Sequence, residues 1–192
     1  MARLRLPVNL ANGLTIFRIL LIPVFMAFLL GLEQIPSDVR DAGAVAVFAV
    51  AAVTDTLDGY FARSRNAVTV LGQFLDPLAD KLLISAALVS LVSLDRISAW
   101  LAMVIIAREF AVSGLRLVAA AESVVIPASP LGKVKTFSQI IAVVALILPP
   151  FGYILGKPLS WYLIYIAALL TIISGINYFL SAREWVKAPQ QR

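Results

Sequence analysis

Four carboxylates stand in a stretch of chain that otherwise reads as membrane helix. Asp55 and Asp58 lie three residues apart and Asp76 and Asp80 four apart, among Val, Leu, Ala and Phe. Those spacings put both members of each pair on one helix face. A carboxylate inside a membrane helix costs roughly 2.5–3.5 kcal/mol on insertion scales, so the group needs cations, and a metal ion is the simplest partner. The two helices are joined by a short turn, which predicts antiparallel packing and convergence of all four groups in one pocket. Without cations their mutual repulsion at low dielectric would be severe. The chain has no Cys and no His. Disulfides, thiol catalysis and the usual zinc sites are thereby excluded. Oxygen donors favour hard ions such as Mg2+ or Mn2+, and a general base must be a carboxylate or another non-histidine group. The alternative is a set of buried salt bridges to Arg63, Arg65 and Lys81. That alternative leaves the small residues on the same surface unexplained.

Those small residues are Gly59, four after Asp55, Ala62, four after Asp58, and Gly72, four before Asp76. With so little side chain present, a flat or phosphorylated ligand can approach the backbone. Arg63 lies one turn beyond Gly59, in reach of a phosphate. The dipeptide Asp76-Pro77 could instead mark an N-cap and first helical residue, which would place Gly72 in the turn.

The elements that must position these groups are membrane helices. Sixty-one per cent of the 192 residues are hydrophobic, and the mean hydropathy is +0.94. A soluble domain of this length would carry more polar surface. The pattern predicts an all-α integral membrane protein, a bundle of about six transmembrane helices forming a single domain over residues 1–192. The spans run from about Asn9 to Leu32 with a bend at Pro23, Asp41 to Arg63, Gly72 to Leu94, Ile97 to Ala121, Lys135 to Leu155 bent or ended by Pro149 and Pro150, and Leu159 to Arg183. Arg3, Arg5, Arg63, Arg65, Lys133, Lys135, Arg183, Lys187 and Arg192 collect on one side. Arg40, Arg96 and Lys157 lie on the other, among Glu33, Asp38, Asp41 and Asp95. The positive-inside rule then puts both termini and the turn after the second helix in the cytoplasm. The formal charge of +5 is explained by topology and by anionic lipid or phosphate, with no call for nucleic acid. Asn12, Thr15 and Arg18 interrupt the first apolar run, which argues against a cleaved signal peptide. Trp100, Trp161 and Trp185 fall near helix ends, as an aromatic belt would have them.

Written out, the acidic segment is Asp55-x2-Asp58-Gly59-x2-Ala62-Arg63-x8-Gly72-x3-Asp76-x3-Asp80. It resembles the signature of the CDP-alcohol phosphotransferases, with all eight fixed positions present in 26 residues. The resemblance implies attack of an alcohol hydroxyl on the phosphorus of a CDP-linked alcohol, with release of CMP. It also implies two divalent ions held by Asp55, Asp58, Asp76 and Asp80, with Asp80 as general base. Asp55, Asp58, Gly59, Ala62, Arg63 and Gly72 would form the CDP site. Homodimers are common in that family, and a bacterial inner-membrane location with the active site toward the cytoplasm is expected.

Three further stretches resemble the members of that family that use sn-glycerol 3-phosphate as acceptor. They are Asn9-Leu10-x-Asn12-x2-Thr15-x2-Arg18, Arg108-Glu109-Phe110-x-Val112-Ser113-Gly114-Leu115-Arg116, and Gly132-Lys133-x-Lys135-Thr136. The donor would then be CDP-diacylglycerol, its tails left in the membrane lipid. A dianionic acceptor phosphate needs several cations, and Arg108, Arg116, Lys133 and Lys135 are the candidates. For Arg108 an internal pair with Glu109 competes with that role; for the lysines, plain interfacial anchoring does. Asn12, Thr15 and Arg18 recur every three residues and are read as supporting the nucleotide or the metal ligands. Inositol phosphate, serine and phosphatidylglycerol are the alternative acceptors. A divalent-ion transporter is the alternative of a different class, since intramembrane carboxylates also mark ion paths.

Overall fold

The computed structural model describes residues 10–31, 34–64, 70–121 and 130–187, with side chains over 13–31, 34–54, 78–120 and 130–182. These residues are mostly helical. Helix α1 is Leu10–Met26, α2 Ser37–Ser64, α3 Val70–Ser93, α4 Ala99–Ala121, α5 Pro130–Ile147 and α6 Leu159–Lys187. A hairpin of two short strands, β1 (Tyr153–Ile154) and β2 (Lys157–Pro158), precedes α6. Helices α1 to α3 form one compact unit, and the chain from Asp95 onward forms a second.

In the first unit α1 packs against both α2 and α3. Pro23 sits inside α1 and can offer no N–H to the preceding turn. Just beyond it the helix widens into a π-helical turn, Ala27–Gly31. Phe25 and Phe48 are fully buried, with ring centroids 5.7 Å apart. The ring of Phe28 lies so close over Gly43 that a Cβ there would meet Phe28 Cδ1 at 2.6 Å. Asp38 in the first turn of α2 complements the helix dipole.

Helix α3 begins at Val70, six residues before Asp76, so Asp76-Pro77 is not its N-cap and Gly72 belongs to the helix. At the far end Asp95 adopts a positive φ of 56°, a left-handed exit that Asp tolerates.

In the second unit the Ser98 hydroxyl accepts the Trp100 amide at 3.3 Å and caps α4. Helix α5 is shorter at its end than the apolar pattern implies. It stops at Ile147, where Arg96 Nη1 donates to the carbonyls of Leu146, at 2.7 Å, and Ile147. Pro149 and Pro150 then forbid continuation. Residues expected as its last turn fold instead into the hairpin. Register Ile154↔Lys157 leaves Leu155 and Gly156 as a two-residue loop, both with positive φ, the geometry that suits a tight hairpin. The Tyr162 hydroxyl donates to the Ile154 carbonyl at 2.9 Å and ties the hairpin to α6. Trp161 stacks on Tyr165 there, and Trp100 stands exposed at the start of α4. Both sit at helix starts, where an interfacial belt places them; the Trp185 side chain lies outside the described residues.

Among the described residues three segments, Gly13–Gly31, Pro130–Ile147 and Leu159–Ala182, are long and apolar enough to cross a membrane. Helix α4 has the length, but Arg108, Glu109 and Arg116 interrupt it. The outward face of α6 carries Ile166, Leu169, Ile173, Ile176 and Leu180, while Ser160, Thr171 and Ser174 are buried. A helix with apolar residues outside and hydroxyls inside suits lipid as solvent.

Candidate active site

Of the four aspartates, Asp80 has a described side chain. It lies partly exposed on α3, beside the buried Ala79, and accepts a 2.6 Å hydrogen bond from Lys81 Nζ at Oδ2. Asp55 and Asp58 belong to α2 and Asp76 to α3, but their side chains lie outside the described residues. The same holds for Gly59, Ala62, Arg63, Gly72 and Asn12.

The framework around them can still be read. Phe25 against Phe48 and Phe28 over Gly43 run α1 and α2 antiparallel. Seven residues back from Phe25 and seven on from Phe48, that register brings Arg18 level with position 55 of α2. Ten residues along, it brings Thr15 level with position 58. Thr15 and Arg18 are both completely buried. A guanidinium out of water needs opposite charge at hand, and the register sets the acidic end of α2 at its height.

The predicted acceptor cations fall on α4 and α5 in the second unit. Glu109 is the hub. Its Oε1 accepts from Lys135 Nζ, from Arg108 Nη1 at 3.4 Å and from Gln139 Nε2 at 3.3 Å. Gln139 Nε2 also donates to Thr171 Oγ1 at 2.9 Å, and that hydroxyl donates to the Ala167 carbonyl of α6 at 2.6 Å. Arg108 Nη2 donates to Ser174 Oγ at 2.8 Å. The Arg108 stem crosses α6 at Gly175, where a Cβ would stand 3.0 Å from Arg108 Cγ.

The four cations thus divide. Lys135 and Arg108 are drawn inside against Glu109, with side chains 5% and 12% exposed. Arg116 and Lys133 are exposed. Tyr178, packed with Val112 and Ala182, lies within electrostatic reach of both Arg108 and Arg116. The pairing of Arg108 with Glu109, foreseen as a competing role, is present. Gln139, Thr171 and Ser174 carried no signal in the sequence beyond being polar residues in apolar runs.

A profile of the CDP-alcohol phosphatidyltransferase family matches residues 8–173. A Bacillus subtilis protein named CDP-diacylglycerol–glycerol-3-phosphate 3-phosphatidyltransferase is 47% identical over 188 residues, covering 92% of this chain and 95% of its own. A Rickettsia felis protein of the same name is 42% identical, covering 95% and 99%. A Mycobacterium tuberculosis protein named probable phosphatidylglycerophosphate synthase is 41% identical, covering 91% and 81%. The match spans residues 8–173 and the likeness covers nearly the whole chain, and on that ground the chain belongs to the CDP-alcohol phosphatidyltransferase family and is a transferase.

Proposed function

We propose that this enzyme transfers the phosphatidyl group of CDP-diacylglycerol to sn-glycerol 3-phosphate, giving phosphatidylglycerophosphate and CMP. The observation that carries the choice of substrates is the near full-length likeness to bacterial proteins named for that donor and acceptor. The basic groups of α4 and α5 support it. Serine has no phosphate for Arg108, Arg116, Lys133 and Lys135 to meet.

In the step itself, a hydroxyl oxygen of the acceptor forms a bond to the phosphatidyl phosphorus. The bond from that phosphorus to the bridging oxygen breaks, and CMP leaves with the oxygen. Asp80 takes the hydroxyl proton. The chain has no histidine or cysteine to carry a covalent intermediate and the aspartates have other roles in this scheme, which favours direct transfer; a phosphorylated enzyme trapped on any of the four would overturn it. Gly59, Ala62 and Gly72 leave room for the cytidine and its diphosphate, and Arg63 answers their charge. Arg18 and Thr15, level with positions 55 and 58, support that end of the site, and Asn12 belongs with them.

The donor set fits a hard cation in that all four groups offer oxygen; the 2.6 Å pair of Asp80 with Lys81 is the contact that the salt-bridge alternative foresaw. Two divalent ions, Mg2+ or Mn2+, held by Asp55, Asp58, Asp76 and Asp80 would neutralise the diphosphate and polarise its phosphorus. The six-span bundle with both termini in the cytoplasm is part of this reading, as are a single functional domain, a homodimer, and a site opening at the cytoplasmic face of the bacterial inner membrane.

The test is CMP release by purified enzyme with CDP-diacylglycerol and each candidate acceptor. Release with glycerol 3-phosphate, and not with inositol phosphate, serine or phosphatidylglycerol, is expected. Divalent-ion flux into liposomes without turnover would instead favour transport.

A further inference from the structure

We propose that Glu109 is a positioning residue of the acceptor site, acting through Lys135 and Arg108. The inference rests on the reading of those two cations as ligands of the acceptor phosphate. Glu109 touches no reacting atom in this scheme. Its task is to fix where two long, flexible cations end.

Three features argue for that task. First, one oxygen, Oε1, gathers donors from Lys135 on α5 and from Arg108 beside it on α4. A lysine or arginine left to itself samples many rotamers, and a shared carboxylate removes that freedom before the substrate arrives. Second, the carboxylate is itself held. Gln139 donates to the same oxygen and to Thr171, and Thr171 is anchored on the α6 backbone. All of these residues are buried: Glu109, Lys135, Gln139 and Thr171 each show 4% exposure or less. A polar chain out of water is rigid when its groups are satisfied. Third, two further cations, Arg116 and Lys133, stand exposed on the same two helices.

Simple charge counting gives the opposite expectation and so makes a sharp test. Removing a negative charge from a basic cluster should strengthen anion binding. If Glu109 positions, its removal weakens binding, because the cations lose their places.

The experiment compares Glu109→Gln, Lys135→Met and the double variant in the full-length purified enzyme, with KM measured for each substrate separately. Expected for Glu109→Gln is a rise of about 10-fold or more in KM for glycerol 3-phosphate, with KM for CDP-diacylglycerol and kcat at saturating acceptor within about 3-fold of the parent. The double variant should exceed Lys135→Met in acceptor KM by less than the factor Glu109→Gln produces alone, because only Arg108 is then left to position. The double variant also guards against misfolding, since removing both members of a buried pair is tolerated better than orphaning one.

A lowered or unchanged acceptor KM in Glu109→Gln overturns the proposal, as does an additive double variant. A uniform loss in kcat for both substrates also overturns it and marks Glu109 as merely structural. If Lys135→Met leaves acceptor KM unchanged, the acceptor-site reading falls and this inference with it. If Lys135→Met raises acceptor KM and Glu109→Gln does not, the reading stands and the inference alone fails.

Discussion

The ring of Phe25 packs on the ring of Phe48, 5.7 Å between centroids, and the contact decides which turn of α1 lies beside which turn of α2. Arg18, fully buried, is carried to the level of position 55. On the proposed site, Arg18→Ala takes a buried cation from beside the acidic end of α2, and losing one member of a buried pair is worth about 3–5 kcal/mol. We expect KM for CDP-diacylglycerol and the divalent concentration for half-activation both to rise steeply, with KM for glycerol 3-phosphate little changed. Arg18→Lys should rescue only part, since an ammonium cannot reproduce the planar fork of a guanidinium. Parent-like kinetics in Arg18→Ala would remove Arg18 from the site.

Asp80→Asn and Asp58→Asn should fail differently. Loss of a general base costs on the order of 100- to 10,000-fold in rate, so Asp80→Asn should lose turnover while CDP-lipid binding, read by calorimetry, persists. Asp58→Asn should weaken divalent-ion and nucleotide binding together. Equal defects in both measurements would contradict the separate roles.

The sequence made these aspartates legible because charge in an apolar run is costly and therefore conspicuous. It made most helix spans legible for the same reason, since apolar length is counted directly. For α5 it offered a bend or a stop at Pro149-Pro150, and the helix stops just before them; the span reached to Leu155 because Phe151, Tyr153, Ile154 and Leu155 are as apolar as the helix before them. Only the pair Pro149-Pro150 and the positive φ of Gly152 and Gly156 distinguish hairpin from helix. The start of α3 was ambiguous because Asp-Pro is a helix-start signal, overridden here by the six residues Val70 to Leu75 continuing the helix upstream. The Glu109 hub was half visible: the adjacent Arg108 was foreseen as its partner. Lys135 and Gln139 come from another helix, 26 and 30 residues away, and no local pattern links them.

Gly43→Ala offers a check on the α1–α2 register that does not involve the chemistry. A Cβ at 2.6 Å from the Phe28 ring forces that ring aside, and overpacking of this kind costs about 1–3 kcal/mol. Thermal unfolding in detergent should show a lowered Tm. Gly43→Ala combined with Phe28→Ala should remove the clash itself, so the glycine substitution should cost less in that background than alone.

The chain has no cysteine, which makes its topology directly testable. Leu155 at the hairpin tip is 93% exposed, and the proposed orientation has Lys157 opposite the cytoplasmic side. Leu155→Cys should react with a membrane-impermeant thiol reagent added to intact cells from which the outer barrier has been removed. A cysteine placed at Lys133 should react only after lysis. Reversal of the two would invert the orientation.

Gly175 and Ser174 test whether Arg108 works where it lies. The Arg108 stem passes over Gly175 with its Cγ 3.0 Å from a would-be Cβ, and its guanidinium donates to Ser174 Oγ at 2.8 Å. Ser174→Ala removes a hydrogen bond to a charged group, worth about 1.5–3 kcal/mol. Gly175→Ala keeps that bond in principle but pushes the stem outward by a few tenths of an ångström, as the tight contact requires. If Arg108 holds the acceptor phosphate, both variants should raise KM for glycerol 3-phosphate, Ser174→Ala by on the order of 10-fold, and neither should move KM for CDP-diacylglycerol. In an Arg108→Met background both effects should vanish, since the residue they act through is gone. Should they persist there, Arg108 is a strut between α4 and α6, and the acceptor phosphate is met by Arg116, Lys133 and Lys135 without it.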